Sequence, residues 1–270
     1  MSNPEFSIGA YLERVGIREP ETDTVAGLRS LHLAHRVAIP FENLDIQLGR
    51  PIELDIGALQ AKLVASRRGG YCFEQNTLFL TVLRALGFHV EPCEARVRPP
   101  GRSAITPRTH MVLIAYVDDV EWLVDVGFGV SGPLEPVPLS DQPLEQFGWA
   151  YRIVRGDTSL VLQTRDASGW RDLYAFVPEP RYPVDFEVAN WFTSTHPESR
   201  FVRALTAQRV TPEGRHVLHN LTYSYSTPAA APRTDTTREI PRAELTTVLA
   251  DTFDIEVPAD ARFRALDADA

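Results

Sequence analysis

Arg67-Arg68-Gly69-Gly70-Tyr71-Cys72-Phe73-Glu74-Gln75-Asn76 is the stretch on which the reading of the chain turns. Two glycines deliver one cysteine to the start of a segment in which Phe79, Val82, Leu83 and Leu86 recur at i, i+3, i+4 and i+7, a helical period closed by Gly87. Cys72 is therefore expected in the first turn of that helix. Nucleophilic chemistry requires the thiolate, and an unperturbed thiol, with a pKa of about 8.5, is only slightly ionised near neutrality. The positive end of a helix supplies only about 0.3–1 kcal/mol toward that anion. A nucleophilic Cys72 thus demands a charged partner, an imidazolium held by a third group, elsewhere in the chain. The competing reading is a small buried thiol.

Composition sets the class. The chain has 270 residues, 44% hydrophobic and 23% charged, enough for one large domain or two to three small ones. A net charge of −9 argues against a general nucleic-acid or anionic-membrane surface. No apolar run reaches the length of a membrane span, and the first residues lack a signal-peptide layout, so a cytoplasmic protein is expected. The two cysteines, Cys72 and Cys93, form no CxxC or Cys/His cluster, so neither a disulfide framework nor a metal site is expected.

Outward from the cysteine, the first third reads helical. Ser7 caps a helix through Tyr11, Leu12 and Val15 to Gly16, and Asp23 or Thr24 caps a second carrying Leu28, Leu31, His32 and His35. Both histidines read as packing or surface residues. Residues 41–44 read as a loop after Pro40, and 54–66 as a third helix. From His89 the period becomes 2: a strand over 92–97, a polar loop over 98–108, and strands over 109–117 and 122–126. A meander over 149–155, 159–165 and 170–176 follows. Beyond it come a helix over 186–194, a hairpin of 201–210 with 215–226, a loop over 228–237 and a closing helix over 242–253.

The hairpin around Asp118-Asp119-Val120-Glu121 supplies the missing partner by parity. Opposed residues of an antiparallel pair share a constant sum, 237 for a two-residue loop at Asp118-Asp119 and 239 for a four-residue loop. Asp125 then opposes Val112 or Ile114, each an even step from His110. Either register puts His110 and Asp125 on one face, and the shorter loop makes them diagonal neighbours at about 7–8 Å. A three-residue loop would break the parity. Asp125, flanked by Val124 and Val126, must be paired or solvated. The glycines of Gly127-Phe128-Gly129-Val130-Ser131-Gly132 permit close backbone approach to a ligand.

Pro40-Phe41-Glu42-Asn43-Leu44, the Arg67–Asn76 stretch, Thr109-His110, Val124-Asp125-Val126-Gly127-Phe128-Gly129 and Ser194-Thr195-His196-Pro197 with Phe201 resemble the arylamine N-acetyltransferases, the last stretch their bacterial members. The resemblance spans most of the chain. It implies an α+β fold with a papain- or transglutaminase-like cysteine enzyme core: an N-terminal helical bundle (1–87), a central antiparallel, barrel-like β domain (88–183) and a C-terminal α/β lid (184–270). It further implies ping-pong transfer of acetyl from acetyl-CoA to an arylamine or hydrazine through Cys72, His110 and Asp125, without a metal. Phe41, Val97, Phe128 and Phe201 are expected to line the amine cleft, and Thr109 and Gly129 to touch coenzyme A. Arg67, Arg68, Arg98, Arg102 and Arg108 read as solvated surface or contacts of the anionic coenzyme. After Gly129 the chain departs from the family's expected continuation. Alternatives are an amide synthase of macrolactam biosynthesis and a thiol hydrolase or transglutaminase-like enzyme. No nucleic-acid or membrane partner is expected, and a homodimer stays open.

Overall fold

A computed structural model describes residues 6–99, 101, 105–228, 235–258 and 260–267. The side chain of Ser7 accepts the Ala10 amide and opens α1 (Ile8–Val15), which Gly16 ends in the left-handed region at φ 77°. Thr24 caps α2 (Val25–Ala38) in the same way through the Gly27 amide. The segment read as a loop is instead a two-residue strand, β1 (Phe41–Glu42), followed by a short helix, α3 (Leu44–Gln47). Its partners, Gln208 and Ala207, are more than 160 positions away, and so short a strand leaves no periodicity to read. The third helix is α4 (Ile56–Leu59), continuing as a π-helical turn over Gln60–Ala65. Helix α5 (Cys72–Ala85) begins at the cysteine itself.

Eight strands follow: β2 (His89–Val97), β3 (His110–Val117), β4 (Val120–Val124), β5 (Val137–Pro138), β6 (Leu144–Gln146), β7 (Trp149–Arg155), β8 (Leu160–Asp166) and β9 (Gly169–Phe176). They form one antiparallel sheet in the order β5-β4-β3-β2-β9-β8-β7-β6. Strand β2 starts earlier than expected and includes Pro92. Proline is tolerated there because β9 pairs only with Ala95 to Val97, leaving the Pro92 edge free of a ladder partner. In the β3–β4 hairpin Leu113 faces Val124 and Val117 faces Val120, so the loop is the two-residue one. Asp118 and Asp119 take φ of 53° and 58°, the left-handed pair that a tight hairpin turn requires.

The chain closes with α6 (Pro183–Thr195), α7 (Arg200–Arg203), β10 (Thr206–Thr211), β11 (Gly214–His219), β12 (Thr222–Ser226), β13 (Asp235–Glu239), α8 (Leu245–Phe253) and α9 (Arg264–Asp267). The expected strand over 215–226 is two strands. Asn220, at φ 52°, turns the chain between His219 and Thr222, which pair across it. Of the loop expected over 228–237, residues 229–234 lie outside the described residues, and Asp235 begins β13 instead. The second sheet has the order β1-β10-β11-β12-β13, so a strand from the first third of the chain forms its edge.

Strand β3 is buried on both faces. Met111, Leu113, Ala115 and Val117 join Leu28, Leu31, Phe73, Phe79 and Leu83 in the helical core. Val112 and Ile114 face the opposite way, into the core of the eight-stranded sheet with Leu123, Tyr151, Leu162 and Tyr174. That double burial explains why β3 reads as a continuous apolar run.

Candidate active site

The loop before α5 is fixed by backbone crowding. A Cβ at Gly69 would lie 2.1 Å from the Pro40 carbonyl oxygen, and one at Gly70 within 2.8 Å of the Glu74 carboxylate, so only glycine fits either position. Gln75 Nε2 donates to the carbonyls of Gly70 (2.7 Å) and Pro40 (3.1 Å), and Glu74 Oε2 accepts the Tyr71 amide at 3.0 Å. Arg68 is not a surface group. It pairs with Glu42 at 2.7 Å and Asp45 at 3.3 Å, while Lys62 pairs with Asp45 at 2.6 Å and Glu74 at 2.7 Å. This closed ionic cluster lies directly behind the cysteine's turn.

Cys72, 4% exposed, opens α5 with its Sγ 3.8 Å from the Thr109 carbonyl. His110, the first residue of β3, and Asp125, just beyond β4, are both buried, with His110 Nε2 2.7 Å from Asp125 Oδ2. The carboxylate accepts, so Nε2–H donates. Burial pushes the His110 imidazolium down, but the charge and hydrogen bond of Asp125 and the neighbouring Cys72 overcome it and hold its pKa above the ordinary imidazole value. Burial likewise pushes Asp125 up. His110, the Asn76 amide and the Gly127 N–H outweigh that and hold the carboxyl below its usual range.

Asp125 is held from four sides. Its Oδ1 accepts from Asn76 Nδ2 at 3.0 Å and from the Gly127 amide at 2.9 Å. Asn76 also donates to the Met111 carbonyl (2.8 Å) and accepts the Val126 amide (3.1 Å), tying α5 to both strands of the hairpin. It lies one helical turn after Cys72 on the same face, an i, i+4 signal legible in the sequence. The Asp125 amide donates to His32 Nε2 at 3.2 Å, and His32 Nδ1–H donates to the Leu134 carbonyl at 2.8 Å. Burial lowers the His32 pKa to about 4, so the ring is neutral and can accept. One turn on, buried Arg36 donates to the carbonyls of Val126 (3.1 Å) and Gly129 (2.6 Å). Polar groups within the apolar stripe of α2 are the available signal for both residues.

A cleft of about 400 Å³ opens above Cys72 and His110, and Phe41, Val97, Phe128, Phe201 and Thr109 all line it. Gly129 does not. It sits at φ 67° beneath, where a Cβ would meet Gln208 Oε1 at 2.3 Å, and a Cβ at Gly127 would lie 2.7 Å from Cys72 Cα. Both glycines therefore admit protein neighbours. Phe201 is placed by Asn43 of the Pro40–Leu44 motif and by Gln47 at the end of α3: Asn43 Nδ2 and Gln47 Nε2 donate to its carbonyl at 2.7 and 2.8 Å. Arg98 lines the cleft beside Asp172, Arg108 pairs with Glu94, Arg67 pairs with Asp254 at the surface, and Arg102 lies outside the described residues.

A family model described as N-acetyltransferase matches residues 24–262. The arylamine N-acetyltransferase of Mycolicibacterium smegmatis is 40% identical over 219 residues, 79% of this chain and 80% of that one. The chain belongs to the arylamine N-acetyltransferase family. The crystal structure of the Nocardia farcinica arylamine N-acetyltransferase superposes with a TM-score of 0.87 at 40% identity, covering 94% of this chain and 91% of that one. The Mycobacterium marinum arylamine N-acetyltransferase, solved in complex with CoA, superposes with a TM-score of 0.86 at 35% identity, covering 92% and 93%. The helical N-terminal part, the large antiparallel sheet and the C-terminal helix and sheet region are thus the architecture of arylamine N-acetyltransferases.

Proposed function

We infer that the chain transfers acetyl from acetyl-CoA to an aromatic amine or hydrazine by way of acetyl-Cys72. The observation that carries this is the hydrogen-bonded His110–Asp125 pair beside a cysteine at a helix start, with Cys72 and His110 lining an aromatic-walled cleft and Asp125 buried behind the histidine. The Cys72 thiolate, paired with the His110 imidazolium, bonds to the thioester carbonyl carbon. The developing oxyanion takes hydrogen bonds from backbone N–H groups at the start of α5. Collapse breaks the carbon–sulfur bond to coenzyme A, which leaves with the His110 proton. Neutral His110 then removes a proton as the amine nitrogen attacks acetyl-Cys72. Expulsion of the thiolate releases the N-acetylated product and restores the ion pair.

In this reading residues 1–87 carry the nucleophile, 88–183 its histidine and aspartate, and 184–270 the lid. Phe41, Val97, Phe128 and Phe201 hold the flat ring of the amine. Thr109 contacts the coenzyme, while Gly129 acts through the loop that Arg36 anchors. No helix among the described residues is long and apolar enough to cross a membrane, and we place the enzyme in the cytoplasm.

Initial rates with acetyl-CoA and an arylamine test the reading. Parallel double-reciprocal lines, with about one equivalent of coenzyme A released before amine is added, are expected. Coenzyme A release that requires the amine would contradict it, and acetyl-CoA consumption indifferent to amine would favour a hydrolase.

A further inference from the structure

The cleft is cationic in an acidic protein. Arg98, Arg171 and Arg200 line it, and no aspartate or glutamate does, although the chain carries a net charge of −9. Two of these arginines are already paired: Arg98 Nη1 lies 2.7 Å from Asp172, and Arg171 Nε 3.1 Å from Asp166. Arg200, at the start of α7, differs. Among the described residues its guanidinium makes neither an ion pair nor a hydrogen bond. It lies over the Phe201 ring, 5.2 Å from the centroid, and that ring packs against Phe41 and Tyr71 at 6.0 and 5.4 Å.

Arg200 is an exposed residue that also lines the cleft. Its protein surroundings lower its pKa by desolvation, and Cys72 acts in the opposite direction. A planar fork of donors is thus held over the aromatic wall, within electrostatic reach of the reacting sulfur, with its hydrogen bonds unspent. That geometry matches a carboxylate, which a guanidinium can grip through two parallel hydrogen bonds.

We propose that Arg200 is a specificity-determining residue that receives the carboxylate of an anionic aromatic amine, an aminobenzoate, as the amino group addresses acetyl-Cys72. The proposal rests on the acyl-transfer reading above. It concerns the second half-reaction, after coenzyme A and its own negative charges have left.

The test isolates that half-reaction. Acetyl-enzyme formed with acetyl-CoA and rapidly desalted is mixed with 4-aminobenzoate or with the uncharged, near-isosteric 4-aminobenzamide, and loss of the acetyl mass is followed. The ratio of the two second-order rate constants cancels effects common to both amines. Arg200→Gln is expected to lower that acid-to-amide ratio about tenfold, the scale of one charge-assisted hydrogen bond. Arg200→Lys should recover part of it, and salt should lower the ratio in the wild type but hardly in Arg200→Gln. An unchanged ratio in Arg200→Gln overturns the proposal, as does an equal fall in Arg98→Gln, which would make the preference a diffuse property of the cleft. Failure of the wild type to form any acetyl-enzyme would instead overturn the acyl-transfer reading, so the two failures are distinct.

Discussion

Two buried polar constellations meet at the first turn of α5, and they use charge in opposite ways. Behind the turn, Glu42, Asp45 and Glu74 are matched by Lys62 and Arg68 in contacts of 2.6 to 3.3 Å, a set that leaves each charge with a partner and none facing the cleft. Ahead of it, Asp125 is satisfied by His110, Asn76 and Gly127, while Cys72 neighbours His110, makes a long contact to the Thr109 carbonyl and opens into the cleft. A closed network holds the backbone. An open one leaves Cys72 and His110 facing the cleft. Glu74 and Cys72 are two residues apart, so the same helical turn serves both.

This contrast breaks most sharply at Asp125. Asp125→Asn keeps the size of the side chain and an acceptor for Asn76 and Gly127, but removes the charge that sustains the imidazolium. Turnover with acetyl-CoA and arylamine should fall by about 10³-fold or more, by analogy with the loss of a triad carboxylate, while the circular dichroism spectrum stays native. A fall of less than tenfold would mean that His110 is held up by something else.

On the other side of the turn, Lys62→Met should act on stability first. It leaves Glu74 and Asp45 buried without that cation, and a broken buried pair costs about 3–5 kcal/mol, discounted here to about 2–4 because the lysine side chain is 17% exposed. Urea titration measures it. Combining Lys62→Met with Glu74→Gln should return part of the loss, and turnover per folded molecule should change far less than in Asp125→Asn. Equal losses of turnover in both variants would merge the two constellations into one.

A smaller effect is the pH dependence of stability. Asp125 is depressed when folded, so its contribution is present above the unfolded carboxylate pKa, near 4, and is lost as pH falls below it. His110 is raised, so its contribution is complete below the unfolded imidazole pKa, near 6.5, and is lost as pH climbs from there through the raised folded value. The pair therefore stabilises most between about pH 4 and 6.5. Urea midpoints should decline from pH 6 to 9 in the wild type and decline less in Asp125→Asn; parallel curves would dissociate the pair from stability.

How far the sequence discloses these two regions follows from the range of their contacts. The helix start at Cys72 rests on spacing within 15 residues, and the His110–Asp125 juxtaposition on the parity of one short hairpin, both local. The ionic cluster draws on Glu42, Asp45, Lys62, Arg68 and Glu74, scattered across 33 positions, four elements and a loop. No local period joins them, which is why Arg68 reads as a surface cation. His32 reads as packing for the same reason: its partner is the backbone of Asp125, 93 residues away. The two-residue β1 and the Asn220 turn are likewise fixed by pairings with distant strands.

The most direct test of the account is the intact mass of the protein after addition of acetyl-CoA without amine. The wild type should gain a single acetyl group, located at Cys72 by peptide mapping and lost on addition of an arylamine, while Cys93, buried with its thiol pKa pushed up to about 12, stays unmodified. Cys72→Ala should gain nothing. Acetylation of Cys72→Ala that an amine can still discharge, with turnover retained, would contradict the central claim that the open side of the turn holds the nucleophile.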